Sequence, residues 1–98
     1  MDITCTSQGI IFIWNEEKAE ENWHNHHVSF ETACEAFFDP FLRISDASRN
    51  FEAREGLIGT DKSGRLLFVV FIEPEKERIR IISARQATSQ ERKYYENV

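Results

Sequence analysis

Cationic side chains cluster in residues 78–95, where a strand pattern passes directly into a helix pattern. Arg80 and Arg85 lie on the strand side of this junction, and Arg92 and Lys93 lie in the helix beyond it. A guanidinium presents a planar fork of N–H donors that matches the oxygens of a phosphate. We therefore predict that the function is carried by this junction.

A run of histidines, His24-Asn25-His26-His27, raises the possibility of a metal site. Imidazoles four residues apart on a helix can share an ion, whereas these lie one and two apart and point in different directions. The run is more typical of a helix end, where such side chains meet the negative end of the helix dipole. His26 as a general acid or base, or as a phosphate contact, stays open. We predict no metal ligands and no cofactor.

Length and composition indicate one small domain over residues 1–98, with 41% hydrophobic and 30% charged residues. No apolar run reaches about 18 residues, and no signal peptide pattern opens the chain. We expect a soluble, cytoplasmic protein without a membrane partner. Cys5 and Cys34 lie in unlike settings without metal-ligand spacing, which favours free thiols over a disulfide.

The net charge of −5 argues against a general nucleic-acid binder, which would usually be basic. The charge is unevenly distributed, because residues 1–48 carry nine acids and two bases, whereas residues 49–98 carry ten bases and eight acids. This asymmetry indicates either a localised basic site on an acidic body or an acidic face for a basic partner.

The residue pattern in the first half of the chain predicts a strand and two helices. Residues 10–14 form a short apolar strand, and Asn15 can cap a helix that follows at once. Ser29 can cap a second helix over residues 30–38, which the following Asp-Pro pair ends. Residues 41–50 are predicted to form a loop or a poor edge strand.

The second half predicts strands. Residues 51–59 form one strand with Arg54 inside it, and the apolar run within residues 65–72 predicts a central strand that is covered on both faces. Pro74 is expected to open the next turn, and residues 78–83 form the last strand.

Thr88 and Glu91 form a capping-box pattern that predicts a C-terminal helix. The expected architecture is a small α+β domain with a single sheet. In it the N-terminal strand and two helices pack against a three-stranded antiparallel meander, which the C-terminal helix follows.

With both halves in view, the chain resembles the BrnT toxins of bacterial type II toxin–antitoxin pairs over nearly its whole length. The resemblance rests on five blocks taken in order: residues 12–15 with Lys18 and Asn22, residues 26–33, residues 38–40, Arg54 before Ile58-Gly59, and residues 80–88 with Glu91, Arg92 and Tyr95. The family pattern differs at three positions, with Asp in place of Asn15, Lys in place of Asn25 and Gly in place of His27.

The resemblance implies a RelE-like fold and an endoribonuclease that inhibits translation and growth. We expect its cleavage to be independent of metal, because no set of carboxylates or histidines has convincing ligand spacing. The resemblance also implies three associations: an RNA substrate, a ribbon-helix-helix antitoxin resembling BrnA, and operator DNA that is bound only through the antitoxin complex.

Metal-free RNA cleavage requires removal of the 2′-hydroxyl proton, stabilisation of charge on the phosphorus oxygens and protonation of the leaving 5′-oxygen. Arg80 and Arg85 suit the charge stabilisation. On an ideal strand these residues face opposite sides, so both can serve only if the strand bulges or ends near residues 83–84. We expect that irregularity.

Proton transfer has four candidates, and most of them have a structural alternative. The candidates are His26, Glu91, Tyr94 and Tyr95. Glu91 also suits a capping box, Tyr95 suits helix packing and His26 suits a helix end. Arg54 suits an ion pair with a carboxylate of the sheet or a helix as well as it suits a catalytic role. Further RNA contacts are predicted at Arg54, Arg92, Lys93 and His24. In the alternative interpretation, the chain is a weakened or inactive homologue whose arginines bind an antitoxin or RNA without cleaving it.

Overall fold

One mixed β-sheet with helices against it organises the chain, in a computed structural model that describes residues 1–48 and 52–97. The strands in those residues are β1 (Asp2–Ser7), β2 (Ile10–Asn15), β3 (Arg43–Asp46), β4 (Glu55–Thr60), β5 (Leu66–Glu75) and β6 (Arg78–Gln86). The helices are α1 (Glu16–His26), α2 (Phe30–Glu35), which continues into a 3₁₀ turn (Ala36–Phe38), and α3 (Ser89–Glu96). The predicted α+β class with a single sheet and a C-terminal helix is confirmed.

The strands lie in the order β1-β2-β6-β5-β4-β3. The predicted antiparallel meander is β4-β5-β6, and β2 joins it by pairing parallel to β6. The sequence interpretation missed β1, which forms a hairpin with β2 through Gln8 and Gly9, both at positive φ. In β1, Ile3 and Cys5 pack against the core, and this alternation was the available signal.

The helix boundaries follow the predicted caps. The Asn15 side chain accepts a hydrogen bond from the Lys18 N–H at 3.0 Å, and α1 ends at His27, which has a left-handed φ of 55°. A glycine adopts this left-handed conformation at a lower free-energy cost than a histidine does, because glycine has no Cβ. Ser29 caps α2 by accepting from the Thr32 N–H at 3.1 Å. Across the described residues, no helix has the length and apolar character needed to cross a bilayer.

The helices α1 and α2 cover one face of the sheet, called here the covered face. Its buried side chains include Phe12 and Trp14 of β2, and it continues through β5 and β6 with Leu67, Val69, Phe71, Ile79, Ile81 and Ala84. Phe37 connects the layers, with its ring centroid 5.2 Å from that of Phe12 and 4.9 Å from that of Phe71, both in edge-on geometry. The core is therefore formed between this face and the helices.

The prediction of a strand covered on both faces is wrong for β5. Phe68, Val70 and Ile72 alternate with its buried side chains and are only half-buried, so they belong to an open face of the sheet. The strand also continues to Glu75, and Pro74 lies inside it rather than opening the turn. A long apolar run does not reveal that one of its faces stays partly accessible.

One other predicted boundary requires correction, and one open alternative is decided. The strand predicted for residues 51–59 begins at Glu55, so Arg54 precedes it instead of lying inside it. For residues 41–50 the edge-strand alternative is confirmed, because this stretch contains β3, which lies at the edge of the sheet and pairs antiparallel with β4. Residues 49–51 lie outside the described part of the chain.

The predicted irregularity in β6 is a bulge at Ile82. Val70 pairs with Ser83 while the next residue of β5 pairs with Ile81, which leaves Ile82 as the extra residue. The extra residue interrupts the alternation of inward-facing and outward-facing side chains along β6. As a result, Arg80 and Arg85 lie on the same open face of the sheet. The strand also extends to Gln86, three residues beyond the predicted end.

Asn22 joins α1 to β6 through its side-chain amide and is buried. Its Nδ2 donates to the carbonyl oxygens of Ala84, at 2.8 Å, and Val28, at 2.9 Å, while Oδ1 accepts from the Ala84 N–H at 3.0 Å. The strand β2 pairs with three residues near the start of β6. Further along β6, the Asn22 amide takes the place of a neighbouring strand and satisfies the backbone groups of Ala84. The amide thus positions the residue immediately before Arg85.

Asn22→Ala removes the hydrogen-bond partner of these backbone groups of Ala84 and Val28. A buried polar group left unpaired costs about 1–3 kcal/mol, so we expect the free energy of unfolding to fall by about 2–4 kcal/mol. Chemical denaturation measures the change, with Glu21→Ala on the exposed side of α1 as the control. Equal losses in both variants would contradict the role of Asn22.

Candidate functional site

A solvent-accessible groove of about 460 Å³ lies on the open face at the end of β6 that leads into α3. It is called here the Arg85–Glu91 groove, and its lining residues are Asp46, Ala47, Ser48, Arg54, Phe68, Val70, Ser83, Arg85 and Glu91. Two arginines and two carboxylates thus share a cavity with two serines, on a base of half-buried sheet residues.

Arg85 and Glu91 form a bidentate ion pair within the groove. The Arg85 Nη1 donates to Glu91 Oε1 at 2.8 Å, and Nη2 donates to Oε2 at 2.9 Å. The guanidinium also lies over the ring of Phe68, 4.5 Å from its centroid. About a third of the Arg85 side chain is exposed, so a ligand in solvent can reach it. The ring and the carboxylate hold the guanidinium in one orientation.

Glu91 has a second role in starting α3. Its Oε1 accepts from the Thr88 N–H at 2.9 Å, and its own N–H donates to the Thr88 Oγ1 at 3.2 Å, which confirms the predicted capping box. Hydrogen bonds from Arg85 lower the pKa of Glu91, since together with Thr88 they outweigh the opposing effect of burial. The carboxylate is therefore a weak base as long as Arg85 binds it.

Arg54 contributes the second guanidinium of the groove. Its backbone N–H donates to Ser48 Oγ at 3.1 Å, and its backbone carbonyl accepts from the Ala47 N–H at 3.0 Å. Its Nη2 donates to Glu52 Oε2 at 2.7 Å. Ser48 is fixed in turn by Asp46, whose Oδ1 accepts from the Ser48 N–H at 2.9 Å. Each arginine of the groove thus has a carboxylate as its counterion.

Arg80 lies on the same open face but outside the groove. Its Nη2 donates to Asp2 Oδ2 at 2.7 Å, which links β6 to the edge strand β1. Its cross-strand partner is Ile72, whereas the partner of Arg85 is Phe68. The structure therefore does not bring the two predicted charge stabilisers to one phosphate.

The two histidines selected from the sequence belong to the other side of the sheet. His24 and His26 are exposed residues of α1, which packs on the covered face. His24 lines a separate cavity beside Trp14 and Trp23. Neither imidazole lines the groove on the open face, so the roles predicted for His24 and His26 stay predictions.

Tyr95 directs its hydroxyl away from the groove and into a polar cluster around Asp39. The hydroxyl donates to Asp39 Oδ2 at 2.6 Å, and the same oxygen accepts from the Thr60 N–H at 2.9 Å. Burial opposes ionisation of Asp39, but these bonds and that from the Phe41 N–H prevail and lower its pKa. Burial and the carboxylate raise the pKa of Tyr95. The contacts favour the packing role for Tyr95.

The remaining predicted RNA contacts lie on the exposed surface of α3. Arg92 is 3.7 Å from Glu96 one turn later, and Lys93 is exposed beside it. The structure adds groove residues that the sequence interpretation missed, namely Asp46, Ser48, Ser83 and Phe68. The Asp-x-Ser turn at residues 46–48 was a usable local signal, whereas Phe68 was assigned to the core.

The described residues contain no group of three or more His, Cys, Asp or Glu side chains arranged to hold a metal ion. Cys5 and Cys34 are free thiols, and burial raises the pKa of Cys34 to about 12. The prediction of free cysteines is confirmed.

Comparisons with known proteins define the class. Residues 14–91 match the family described as "Ribonuclease toxin, BrnT, of type II toxin-antitoxin system". Among solved structures, the crystal structure of the Brucella abortus ribonuclease toxin BrnT is similar, at 22% identity and a TM-score of 0.53, over 78% of this chain and 94% of that one. A search of curated proteins found no significant match.

The family match extends over most of the chain, and the class that it defines is the toxin of a type II toxin–antitoxin pair. The chain belongs to the BrnT family of ribonuclease toxins. Its partner in such a pair is an antitoxin. The solved BrnT structure adds agreement in fold.

Glu91 variants separate the ion pair from the helix cap. Glu91→Gln keeps an acceptor for the Thr88 N–H and loses the charge, whereas Glu91→Ala loses both and should cost about 1 kcal/mol. Because the folded pKa of Glu91 is lowered, the stabilisation by the pair is complete above its unfolded pKa of about 4.3 and is lost as the pH falls through the folded pKa.

We therefore expect the melting temperatures of the parent and Glu91→Gln to differ at neutral pH and to converge in acid. Thermal melts at a series of pH values test this, with Glu96→Gln on the exposed end of α3 as the control. A difference that does not change with pH would contradict the ion-pair contribution.

Proposed function

We propose that this toxin is a metal-independent endoribonuclease and that the Arg85–Glu91 groove is its active site. The observation that most directly supports this proposal is the bidentate ion pair of Arg85 and Glu91 in a groove that solvent can enter. In such a pair the guanidinium presents to a carboxylate the same two donors that would bind two oxygens of a phosphate. The resting groove therefore holds a phosphate-binding group with an internal carboxylate in the position of the substrate.

RNA binding then exchanges one anion for another. The scissile phosphate takes the donors of Arg85, and Arg54 supplies a second positive charge from the same groove. Glu91 loses the contact that lowers its pKa and becomes a stronger base as the substrate arrives. The exchange thus links substrate binding to the activation of a proton acceptor.

In the reaction, the released carboxylate of Glu91 accepts the proton of the 2′-hydroxyl. The 2′-oxygen forms a bond to phosphorus while the bond to the 5′-oxygen breaks, and the 5′-oxygen takes a proton from water in the open groove. Arg85 and Arg54 stabilise the negative charge that develops on the phosphorus oxygens. General-base catalysis contributes about 10² to 10⁴ in rate, so a slow enzyme is expected. The roles predicted for His26 and Tyr95 stay predictions from the sequence.

Arg85→Ala should lower the RNA cleavage rate by about 10²-fold or more, the usual effect of losing one well-aimed donor. The fold should persist with a somewhat lower melting temperature, because losing a partly exposed ion pair costs about 1 kcal/mol or less, too little to unfold a domain. Cleavage rates and melting curves on the same preparations test the claim, with Lys18→Ala on α1 as the control. Parent-like cleavage by Arg85→Ala would place the active site elsewhere, and loss of folding would favour the alternative of a binding module.

Cleavage should persist in excess EDTA. The guanidiniums of the groove supply the positive charge that a bound cation would otherwise supply, and Glu91 can accept the proton that a metal-bound hydroxide would take. The test compares cleavage by purified, chelator-dialysed protein before and after addition of Mg²⁺, Mn²⁺ or Zn²⁺. Activity that disappears with EDTA and returns with one of these ions would contradict the proposed mechanism.

The antitoxin partner that we propose is a ribbon-helix-helix protein resembling BrnA, and operator DNA is bound only through that complex. The acidic balance of the chain supports this division, since tight DNA binding usually needs a basic domain. The proposed place of action is the cytoplasm.

Co-expression with the product of the adjacent gene should give one complex in gel filtration, and separate elution at micromolar concentration would contradict the pairing.

A further inference from the structure

We propose that Arg80 forms a second phosphate-binding position on the open face, which holds the RNA strand more than one nucleotide away from the scissile bond. This inference rests on the proposed active site in the Arg85–Glu91 groove. It assigns Arg80 to substrate positioning and extends the RNA path beyond the groove, along β6 toward the edge strand β1.

The spacing of the two arginines follows from the sheet register. The bulge at Ile82 places Arg80 and Arg85 on the same face, and their partners on β5 are Ile72 and Phe68. Those partners are four positions apart, which corresponds to about 13 Å between their backbone positions at about 3.3 Å per residue. The guanidiniums also point to opposite sides of β6, since Arg80 reaches across β2 to Asp2 on β1 whereas Arg85 lies over Phe68 on β5. The two forks therefore suit two phosphates about two nucleotides apart on one strand better than they suit a single phosphate.

The surface between the two arginines is open and uncharged along β5 and β6. Val70 and Ile72 are half-buried there, and Ser83 lies opposite Val70. A ribose or a base can lie against such a surface, while the phosphates on either side meet guanidiniums. This arrangement of cationic positions around apolar contacts is typical of sites that bind single strands.

Arg80 repeats the ion-pair arrangement of Arg85. Asp2 accepts from it through both oxygens, at 2.7 and 3.4 Å, and the two side chains are 33% and 50% exposed. A pair this accessible adds little to stability, so its arginine can change partners. A phosphate offers the same oxygens as the carboxylate, and Asp2 on the edge strand can move into solvent when RNA binds.

Substrate length separates positioning from catalysis. A dinucleoside monophosphate contains the scissile phosphate alone, whereas a longer oligoribonucleotide also reaches Arg80. Arg80→Ala should raise KM for the longer substrate about tenfold with unchanged kcat, and should leave cleavage of the short substrate unchanged. The slope of log KM against log salt concentration should fall by about 0.7, the value for one phosphate contact on a single strand.

Asp2→Asn gives the opposite test without removing the arginine. It releases Arg80 from its counterion, so KM for the longer substrate should fall. Lys18→Ala, on the other side of the sheet, should leave both substrates unaffected. Melting curves check that each variant is folded, and Asp2→Asn keeps the test valid should Arg80→Ala fail to fold.

Binding of an oligonucleotide with a 2′-O-methyl block, followed by fluorescence anisotropy, tests Arg80 independently of cleavage. Weaker binding by Arg80→Ala with the same reduced salt slope supports the second phosphate position, even if Arg85→Ala proves fully active and the proposed active site fails. Unchanged binding and an unchanged salt slope would overturn the inference. A lower kcat on both substrate lengths would also overturn it, because Arg80 would then act at the reacting phosphate.

Discussion

The amide of Asn22 is the contact on which the rest of the structure depends. It bonds the N–H and the C=O of Ala84, as a neighbouring strand would, and it also holds the Val28 carbonyl. These bonds fix the layer of α1 against the part of β6 that lies beyond its pairing with β2. Arg85 is the next residue, so its direction is set by a buried side chain on the opposite face of the sheet. A buried polar group with all its partners satisfied can impose one geometry in this way.

The bulge at Ile82 extends that geometry to a surface that carries both arginines. Without the extra residue, Arg80 and Arg85 would face opposite sides, and one guanidinium would enter the core. With it, both lie on the open face, and each is neutralised by a carboxylate, Asp2 or Glu91. These carboxylates make a cluster of arginines compatible with an acidic chain, and in the proposed function a phosphate replaces them.

Local patterns in the sequence predicted local structure well. The caps at Asn15 and Ser29 and the capping box at Thr88 depend on residues a few positions apart, so their signal lies within a short window. The bulge was predicted from a functional argument about two arginines. Partners distant in sequence were not predictable, since nothing near Tyr95 indicates that its hydroxyl bonds Asp39, 56 residues away. The half-open face of β5 was missed for a related reason, because burial depends on what packs above a strand.

The central claim is that a phosphate replaces Glu91 as the partner of Arg85. The most direct measurement is a structure of the toxin with an oligoribonucleotide that carries a 2′-O-methyl group at the cleaved position. The account predicts that Arg85 donates to oxygens of the scissile phosphate and that Glu91 lies within about 2.6–3.2 Å of the blocked 2′-oxygen, the reach of a general base. An Arg85–Glu91 pair that stays intact while the RNA binds on another surface would contradict it.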